Sequence, residues 1–382
     1  MIKLSPDATP PPPPAAPFWK RKEWLVGIGS ALFYALGVYL WTRLNAPNSG
    51  MLLLAFILGA PIAACVLAVW VADPKGERTG GSHAATGAVT VTLMLVAAGV
   101  ILREGAVCLV MAAPVFYGTG VLAAWLTGKA LRRRPGRVLC LAVLALPLVG
   151  GVVEQQADDP AETRHVVSSI VIDASPHAVW DRLVDVRIIG AGEHHWNFTH
   201  DVVGVPRPLD ARMDGEGVGA VRHLTWAKGV KFEEHIIDWR PGQALAWTFE
   251  VGPEASTRML DEHLKVNSAY LRLEEGRYTI EPLADGRTRL VLNTRYWMKT
   301  PINGYAGWWG GVFLGDFHRN VLGVIKARAE AWPSPCPASV GPCRGPSRAR
   351  PRSRACREAS CPWRGRSRAW PCRRRSDTAG SG

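Results

Sequence analysis

The chain has 382 residues, of which 48% are hydrophobic, and its formal net charge at pH 7 is +13. This positive charge is confined to the two ends of the chain, because residues 154–332 carry 20 basic and 25 acidic side chains. A nucleic-acid-binding domain needs a basic surface to contact phosphates, so the mildly acidic central part argues against nucleic acid as a partner.

Residues 1–23 form a Pro-rich N-terminal segment that contains five consecutive prolines. This composition is typical of a disordered or polyproline-like cytoplasmic segment. No small-residue cleavage site follows the cluster Lys20-Arg21-Lys22, so the next hydrophobic run is predicted to be a retained anchor rather than a cleaved signal peptide.

Residues 24–153 contain five hydrophobic runs and are predicted to form a transmembrane region. A membrane-spanning helix needs about 20 mostly apolar residues, with a lower limit of about 17. Four runs satisfy this length comfortably, whereas the fifth is short and contains Pro147. The predicted spans are 24–41, 51–72, 84–102, 106–126 and 138–153.

The basic residues sort by side when all five runs cross the membrane. Eleven Lys and Arg residues then share one side, and only Arg43 and Arg103 lie on the other. Because basic loops stay in the cytoplasm, the N-terminus is predicted to be cytoplasmic and the chain after residue 153 periplasmic, in a bacterial inner membrane. If 138–153 does not cross, the soluble part faces the cytoplasm instead.

A soluble domain is predicted to follow the polar linker 154–163. Residues 165–173 are rich in β-branched side chains and predict a strand, after which Ser175 and Pro176 fit the cap and first turn of a helix. The interval 190–217 has the composition of a loop.

The remaining elements of this domain are strands followed by one long helix. Turn signals that contain glycine separate the strands. Apolar residues at intervals of three and four predict the helix over about 302–330. The predicted strands are 218–226, 230–239, 244–251, 269–273, 277–282 and 288–297.

Residues 164–330 resemble the SRPBCC superfamily, the START-like and polyketide cyclase/dehydrase group. The resemblance depends on 170–180, which contains Ala-Ser-Pro-x-x-Val-Trp, on 232–247 and on the terminal helix. It implies an α+β helix-grip domain over 164–332, in which a curved antiparallel sheet wraps around the long C-terminal helix and encloses an apolar cavity. Members bind lipids, sterols, polyketides or other hydrophobic ligands, and some are cyclases, but the family has no universal catalytic motif. No cofactor is implied.

Strand alternation and helix periodicity identify residues that would face such a cavity. Most of them would equally suit a plain hydrophobic core, since ligand pockets are themselves mainly apolar. The predicted ligand-binding residues are Trp226, Phe232, Glu234, Trp247, Phe249, Tyr278, Tyr296, Trp309, Phe313 and Phe317.

Glu234 is the polar candidate on the predicted inner face. A three-residue turn before its strand places Arg222 opposite Glu234, whereas a two-residue turn places His223 there. Either register sets a basic group against a carboxylate, as a buried charge requires. The pair is interpreted as a structural ion pair or, alternatively, as a ligand anchor or a proton-transfer pair that makes these residues the catalytic candidates.

Glu193, His195 and His200 belong to a dense cluster of titratable residues and are weak candidates for a transition-metal site. Their spacing is not that of a H-E-x-x-H motif, and no helix is predicted to place them on one face. The alternative is a loop at the mouth of the cavity.

The start of the terminal helix is unusually rich in glycine and tryptophan. Glycine costs about 1 kcal/mol in a helix relative to alanine, so close packing or room for a ligand must justify the five glycines of 304–315. Trp308 and Trp309 would also suit contact with a membrane surface, where tryptophan is enriched.

The tail 333–382 contains 12 arginines and five cysteines but no Lys, Leu, Ile, Phe, Tyr or Met, so it is predicted to be disordered. Three interpretations remain open: an arm for anionic surfaces, a Cys-rich metal tract, or the wrong-frame translation of GC-rich DNA. The irregular cysteine spacing argues against zinc, and the abundance of residues with GC-rich codons favours the wrong-frame interpretation.

Three functions are therefore compatible with the sequence. The first is a membrane-anchored domain that binds a hydrophobic small molecule or lipid. The second is a cyclase, dehydratase or hydrolase that uses Glu234 with Arg222 or His223, and the third is an interaction or sensory protein without a ligand. A cavity of roughly 300 Å³ or more would favour either of the first two over the third.

Overall fold

The structure is a computed structural model that describes residues 22–45, 54–133, 137–154, 156–259 and 265–331. The predictions made for the Pro-rich N-terminus and for the Arg- and Cys-rich tail therefore lie outside the described residues.

The N-terminal half of the described chain consists of helices joined by short connecting segments. The part of the chain that the structure describes contains four helices long and apolar enough to cross a membrane, at Lys22–Asn45, Leu54–Ala72, Gly80–Val100 and Ala106–Arg133. The fifth hydrophobic run forms a shorter apolar helix, so its crossing stays a prediction. The elements are α1 Lys22–Asn45, α2 Leu54–Ile57, α3 Gly59–Ala72, α4 Gly80–Val100, α5 Ala106–Arg133 and α6 Arg137–Glu154.

Small residues let these helices approach each other closely. Helix α3 contacts α1, α4, α5 and α6, and its Ala63 and Ala64 are completely buried. A Cβ on Gly27 of α1 would lie 2.5 Å from the Ala68 carbonyl of α3, so only glycine fits at that crossing. Close backbone approach of this kind is the usual basis of helix association in a membrane.

Helix α6 runs along the bundle from the end of α5 to the start of α2. Near its middle the Tyr34 hydroxyl of α1 donates to the Leu144 carbonyl at 2.5 Å. At its end the Glu154 carboxylate accepts from the backbone N–H groups of Leu54 (2.5 Å) and Ala55 (2.9 Å). Because the first N–H groups of a helix lack intrahelical acceptors, Glu154 caps α2. The 18 residues of α6 span about 27 Å, close to the thickness of a hydrocarbon core.

The C-terminal half forms a single antiparallel sheet with a long helix, which confirms the predicted helix-grip architecture. Within the described residues the sheet has seven strands in the order β1-β7-β6-β5-β4-β3-β2. The strands are β1 Ala161–Ile172, β2 Pro208–Asp214, β3 Val221–Trp226, β4 Val230–Arg240, β5 Ala244–Glu250, β6 Leu271–Pro282 and β7 Thr288–Lys299. The helices are α7 Pro176–Leu183, α8 Pro253–Met259 and α9 Asn303–Glu330.

The sheet corrects the predicted elements at three places. Strand β1 begins at Ala161, inside the predicted linker 154–163. Strand β2 lies inside the interval 190–217, which was predicted to be a loop. The predicted strands 269–273 and 277–282 are one strand, β6, with an irregularity between Leu273 and Glu275. Gly276, which suggested a turn, instead accommodates an indole ring: a Cβ there would lie 2.3 Å from Trp247. An isolated glycine in a strand often marks such a close approach.

The core of the domain lies between α7, the sheet and the second half of α9. Leu183, Leu290, Leu322 and Ile325 are almost completely buried in one cluster. Ser175 caps α7 by accepting from the Ala178 N–H, and Pro176 begins the helix as predicted. The end of the domain around the first half of α9 is less tightly filled, and this is where the cavity lies.

Two of the α9 glycines are explained by close packing against the sheet. A Cβ on Gly307 would lie 2.3 Å from the Arg164 guanidinium, and one on Gly310 would lie 2.7 Å from the Tyr296 hydroxyl. Gly304 and Gly311 face open space, so packing gives no reason for them.

Candidate functional site

A cavity of about 220 Å³ lies between the sheet and the first half of α9. The structure places all ten predicted ligand-binding residues in its wall, although no ligand tests their role. The wall also includes Met111 of α5 and residues of β2, neither of which was predicted. The volume is below the roughly 300 Å³ expected of a pocket for a drug-sized ligand. Volume alone therefore does not distinguish a ligand-binding site from an imperfectly packed hydrophobic core.

Aromatic rings form most of the apolar wall. Trp226 stacks on Phe317 of α9 with centroids 5.0 Å apart and meets Phe232 edge-on at 5.3 Å. Trp309 stacks on Phe313 at 5.3 Å, one helical turn along α9. These aromatic contacts join the sheet to the helix, and the cavity lies between them.

An ion pair between Arg222 and Glu234 forms the polar part of the wall. The turn Ala227–Gly229 has three residues, with Lys228 in the left-handed region at φ 59°, and it pairs Arg222 with Glu234. Arg222 Nη2 and Nε lie 2.5 and 2.6 Å from the same Glu234 oxygen, Oε2. This register selects Arg222 rather than His223, which lies on the outer face of the sheet, 3.1 Å from Glu233.

Other groups hold the Arg222 guanidinium in place. Its Nη1 donates to the Leu183 carbonyl at 3.1 Å, and its Cζ lies 4.6 Å from the centroid of the Trp247 ring. Burial raises the pKa of Glu234 above its usual value, and the Arg222 guanidinium and the Trp247 indole oppose that shift. Burial also raises the pKa of Tyr278. The wall therefore contains one strongly polar point whose charges cancel.

In addition to Trp247 Nε1, whose indole lies beside Glu234, three polar atoms of the wall have no hydrogen-bond partner among the described residues. They are Nε1 of Trp226, Nε1 of Trp309 and Nε2 of His200. Each residue is more than nine-tenths buried and lines the cavity. Buried polar groups in folded proteins nearly always have a partner, and leaving one without a partner costs about 1–3 kcal/mol. Two donors and one ring nitrogen thus belong to residues of the wall and have no partner within the described part of the protein.

His200 carries an unpaired hydrogen-bond acceptor within the cavity wall. Its Nδ1 lies 2.9 Å from the Val205 carbonyl, which accepts only, so Nδ1 carries the proton and Nε2 is left to accept. Burial lowers the pKa of His200 and favours this neutral form. His200 was predicted as a weak metal candidate, and the structure places it in the cavity wall instead.

The structure does not bring the three metal candidates into one ligand group. Glu193 binds Arg328, with Oε1–Nε at 2.6 Å and Oε2–Nη2 at 2.8 Å, and it also caps its own turn. His195 is exposed beside α9. Among the described residues, the group with ligand atoms within 4.8 Å of one another is Glu233, His235 and Glu250, on the outer face of the sheet. Glu233 contacts His223 and Glu250 contacts His235, so each carboxylate already has a partner within the protein.

A buried histidine behind the wall was not singled out by the sequence. His318 of α9 is completely buried, and its Nε2 lies 2.8 Å from Thr294 Oγ1, which lines the cavity. Its Nδ1 lies 3.2 Å from Ser168 Oγ. Burial lowers the pKa of His318 to about 4, so the ring is neutral at physiological pH.

No protein-family model matches the chain, and no curated protein matches it. Among solved structures, the chain is similar to the Zhui aromatase/cyclase from Streptomyces sp. R1128, at 17% identity over 44% of this chain and 94% of that chain, with a TM-score of 0.30. A protein from Thermus thermophilus matches at 16% identity over 45% and 100%, with a TM-score of 0.29. Norcoclaurine synthase from Thalictrum flavum matches at 12% identity over 44% and 96%, with a TM-score of 0.27. At these values the likenesses assign no function, and the fold rests on the strand order and contacts described above.

Proposed function

We propose that the protein is a membrane-anchored helix-grip domain that binds a neutral, mostly apolar molecule with one or two hydrogen-bonding groups. This proposal depends mainly on three polar atoms in the cavity wall that have no hydrogen-bond partner among the described residues. They are Trp226 Nε1, Trp309 Nε1 and His200 Nε2. A domain without a ligand would gain stability if apolar side chains replaced them, since a buried polar atom without a partner is costly. A bound hydroxyl or carbonyl group would satisfy them.

The charge of the wall supports a neutral ligand. Arg222 and Glu234 neutralise each other and are both almost completely buried, so neither is free to bind an ionic head group. The rest of the wall is mostly aromatic and aliphatic. A cavity of about 220 Å³ accommodates a molecule smaller than a typical drug, or one part of a longer molecule.

The proposed location is a bacterial inner membrane, with α6 as a fifth span and the domain in the periplasm. The contacts of α6 with Tyr34 and Leu54 support a helix that runs the full length of the bundle. The basic loops at the other end of the bundle support a cytoplasmic location for that end.

An enzyme is the second candidate. A carboxyl group with a raised pKa beside a cavity is a common general acid or base, and Glu234 has this property. Its Oε2 is already engaged by Arg222, which argues for a structural or anchoring role first.

The test uses 8-bromooctan-1-ol, a neutral alcohol whose bromine quenches tryptophan fluorescence on contact. The full chain in detergent is titrated with this alcohol, and quenching is compared with that of the Ala211→Phe variant. Ala211 lines the cavity, so a phenyl ring there occupies much of the space. The matched control is Ala284→Phe, in the exposed turn between β6 and β7.

Saturable quenching in the wild type and in Ala284→Phe, with affinity at least about tenfold lower in Ala211→Phe, supports the proposal. Equal quenching in all three proteins would favour an interaction or sensory protein without a ligand. If Glu234→Gln keeps both its fold and its affinity for the alcohol, Glu234 is not part of the binding site.

A further inference from the structure

We infer that the cavity exchanges its ligand directly with the bilayer, through a mouth formed by α5, the segment 198–205 and the first turns of α9. The inference rests on the proposed binding function and adds the route and the orientation of the ligand.

A membrane helix forms part of the cavity wall. Met111 of α5 lines the cavity together with Val205 and Phe313. Val107, one turn earlier on α5, is buried in a cluster with Val203 and Val205. The helix therefore belongs to the binding domain at this point, and no layer of water separates them.

A hydrogen bond fastens the start of α9 to the same helix. The Tyr305 hydroxyl donates to the Met111 carbonyl at 2.6 Å. Three residues further along α5, Pro114 lacks an N–H and leaves the Val110 carbonyl without its helical donor. Tyr305 thus holds α9 at a fixed position along a membrane helix.

The position of Met111 along α5 places the mouth at the edge of the hydrocarbon. Met111 is the sixth of the 28 residues of α5, so it lies about 8 Å from the start of a helix about 42 Å long. The hydrocarbon core is about 30 Å thick, so a centred helix enters it about 6 Å from its start. The mouth therefore opens where head groups meet acyl chains.

Exposed apolar residues flank the mouth. Trp308 and Val202 are each 58% exposed, and each is adjacent to a residue of the mouth, Trp309 and Val203. Tryptophan is favoured at the membrane interface, where its ring has both an apolar and a polar partner. Contact with the head-group region accounts for both exposed residues.

The ion pair of Arg222 and Glu234 lies at the other end of the cavity. Arg222 contacts Leu183, which packs with Leu322 of α9, whereas the mouth contacts Phe313. Eight residues of helix lie between Phe313 and Leu322, so the two residues are about 13 Å apart along the helix axis. A single-chain neutral amphiphile, such as a long-chain alcohol, would enter past His200 and Trp309, whose unpartnered nitrogen atoms can bind its hydroxyl, and would keep its chain toward the bilayer. The cavity then needs to hold only the polar end of a longer molecule, which agrees with its small volume.

The first test places the photoreactive residue p-benzoylphenylalanine at Phe313 of the full chain, reconstituted in phosphatidylcholine vesicles. After illumination, mass spectrometry should find a phosphatidylcholine adduct at this position. The control site is Val218, which is 70% exposed and precedes the end of β3 that is distant from α5. An adduct at position 313 and none at 218 supports the inference, whereas no adduct at 313 overturns it.

The second test measures the rate at which 8-bromooctan-1-ol in vesicles quenches the reconstituted protein. Met111→Phe adds a ring at the mouth and should slow quenching by about tenfold, the effect of one overpacked side chain on a barrier. Leu122→Phe, a lipid-facing change on the same helix, should leave the rate unchanged. An unchanged rate in Met111→Phe overturns the route.

These outcomes are separable from failure of the binding function. If the alcohol binds with an affinity that depends on Ala211 but neither membrane test gives the expected result, the ligand enters from water and only the route is wrong. If the alcohol does not bind the cavity at all, the binding function itself is wrong.

Discussion

Each face of the β3–β4 strand pair has a basic residue opposite a glutamate, but one pair is buried and the other is exposed to solvent. On the inner face Arg222 lies opposite Glu234, and on the outer face their neighbours His223 and Glu233 lie opposite each other. The inner side chains are 4% and 5% exposed, whereas the outer ones are 37% and 44% exposed. Water can replace either outer partner, but nothing replaces an inner one. Burial, and not the pairing itself, therefore decides how much each pair constrains the domain.

The largest expected effect comes from breaking the inner pair. Arg222→Met leaves the Glu234 carboxylate buried without its cation and should cost about 3–5 kcal/mol of unfolding free energy. In a domain of this size that cost lowers the midpoint of thermal unfolding by roughly 10 °C or more. Near-ultraviolet circular dichroism of the full chain in detergent measures it.

The matched control for this change removes both charges. The double variant Arg222→Met/Glu234→Leu should recover much of the loss, because no charge then remains uncompensated. Additive costs in the double variant would contradict the interpretation that the charges depend on each other.

The next largest effect is a dependence of the unfolding free energy on pH, which arises from a buried histidine of α9. The pKa of His318 is lowered by burial to about 4, from a value near 6.5 in the unfolded chain. Between these values the unfolded chain binds more protons than the folded one, so stability falls as the pH falls from about 6.5 to about 4. The total loss is about 3 kcal/mol.

His318→Asn should flatten this part of the pH profile, which unfolding midpoints at a series of pH values would record. His177→Asn is the control, since His177 is exposed on α7 with 86% of its side chain accessible. A profile in which both variants keep the wild-type slope would mean that other groups cause the dependence.

A smaller effect on stability is expected when two neighbouring glycines of α9, Gly310 and Gly311, are each replaced by alanine. Gly310→Ala pushes a methyl group toward the Tyr296 hydroxyl and should destabilise the domain by about 1 kcal/mol, since the clash outweighs the gain in helix propensity. Gly311→Ala meets nothing and should stabilise the domain by about the same amount. Shifts of opposite sign in the unfolding midpoint are expected, and shifts of the same sign would show that Tyr296 moves freely.

The smallest effect is expected on the outer face of the sheet. His235→Ala removes a partner 2.7 Å from Glu250 and 3.9 Å from Glu233, but all three are substantially exposed. The cost should therefore stay below about 1 kcal/mol and should decrease further in high salt. A cost above about 2 kcal/mol would contradict the view that these groups are mainly solvated.

Much of the fold could be predicted from the sequence because burial leaves a periodic pattern. Strand alternation predicted β3, β4, β5 and β7, and spacing by three and four predicted α9. Strand β2 was missed although Leu209, Ala211 and Met213 alternate with charged residues, because prolines at its start and glycines after it suggest a loop. The register of β3 with β4 depended on whether the turn had two or three residues, and the left-handed conformation of Lys228 leaves no mark in the sequence.

The candidate site was predictable only where it follows a single element. The aromatic wall follows from strand and helix faces, and all ten predicted ligand-binding residues lie in the wall of the cavity, where their role in binding stays a prediction. Met111 could not be identified, because an apolar residue in a membrane helix gives no sign that a domain much later in the chain will pack on it. The unpartnered nitrogen atoms are likewise a property of the assembled structure, since each residue type ordinarily finds a partner.

The cap that Glu154 places on α2 limits the reach of the whole domain. Six residues separate Glu154 from Ala161, the first residue of β1, and even fully extended they span only about 20 Å. The domain therefore cannot carry a ligand across an aqueous compartment to a second membrane. On the proposed binding function, any onward delivery requires an acceptor that approaches the same membrane surface, because the domain stays attached to it.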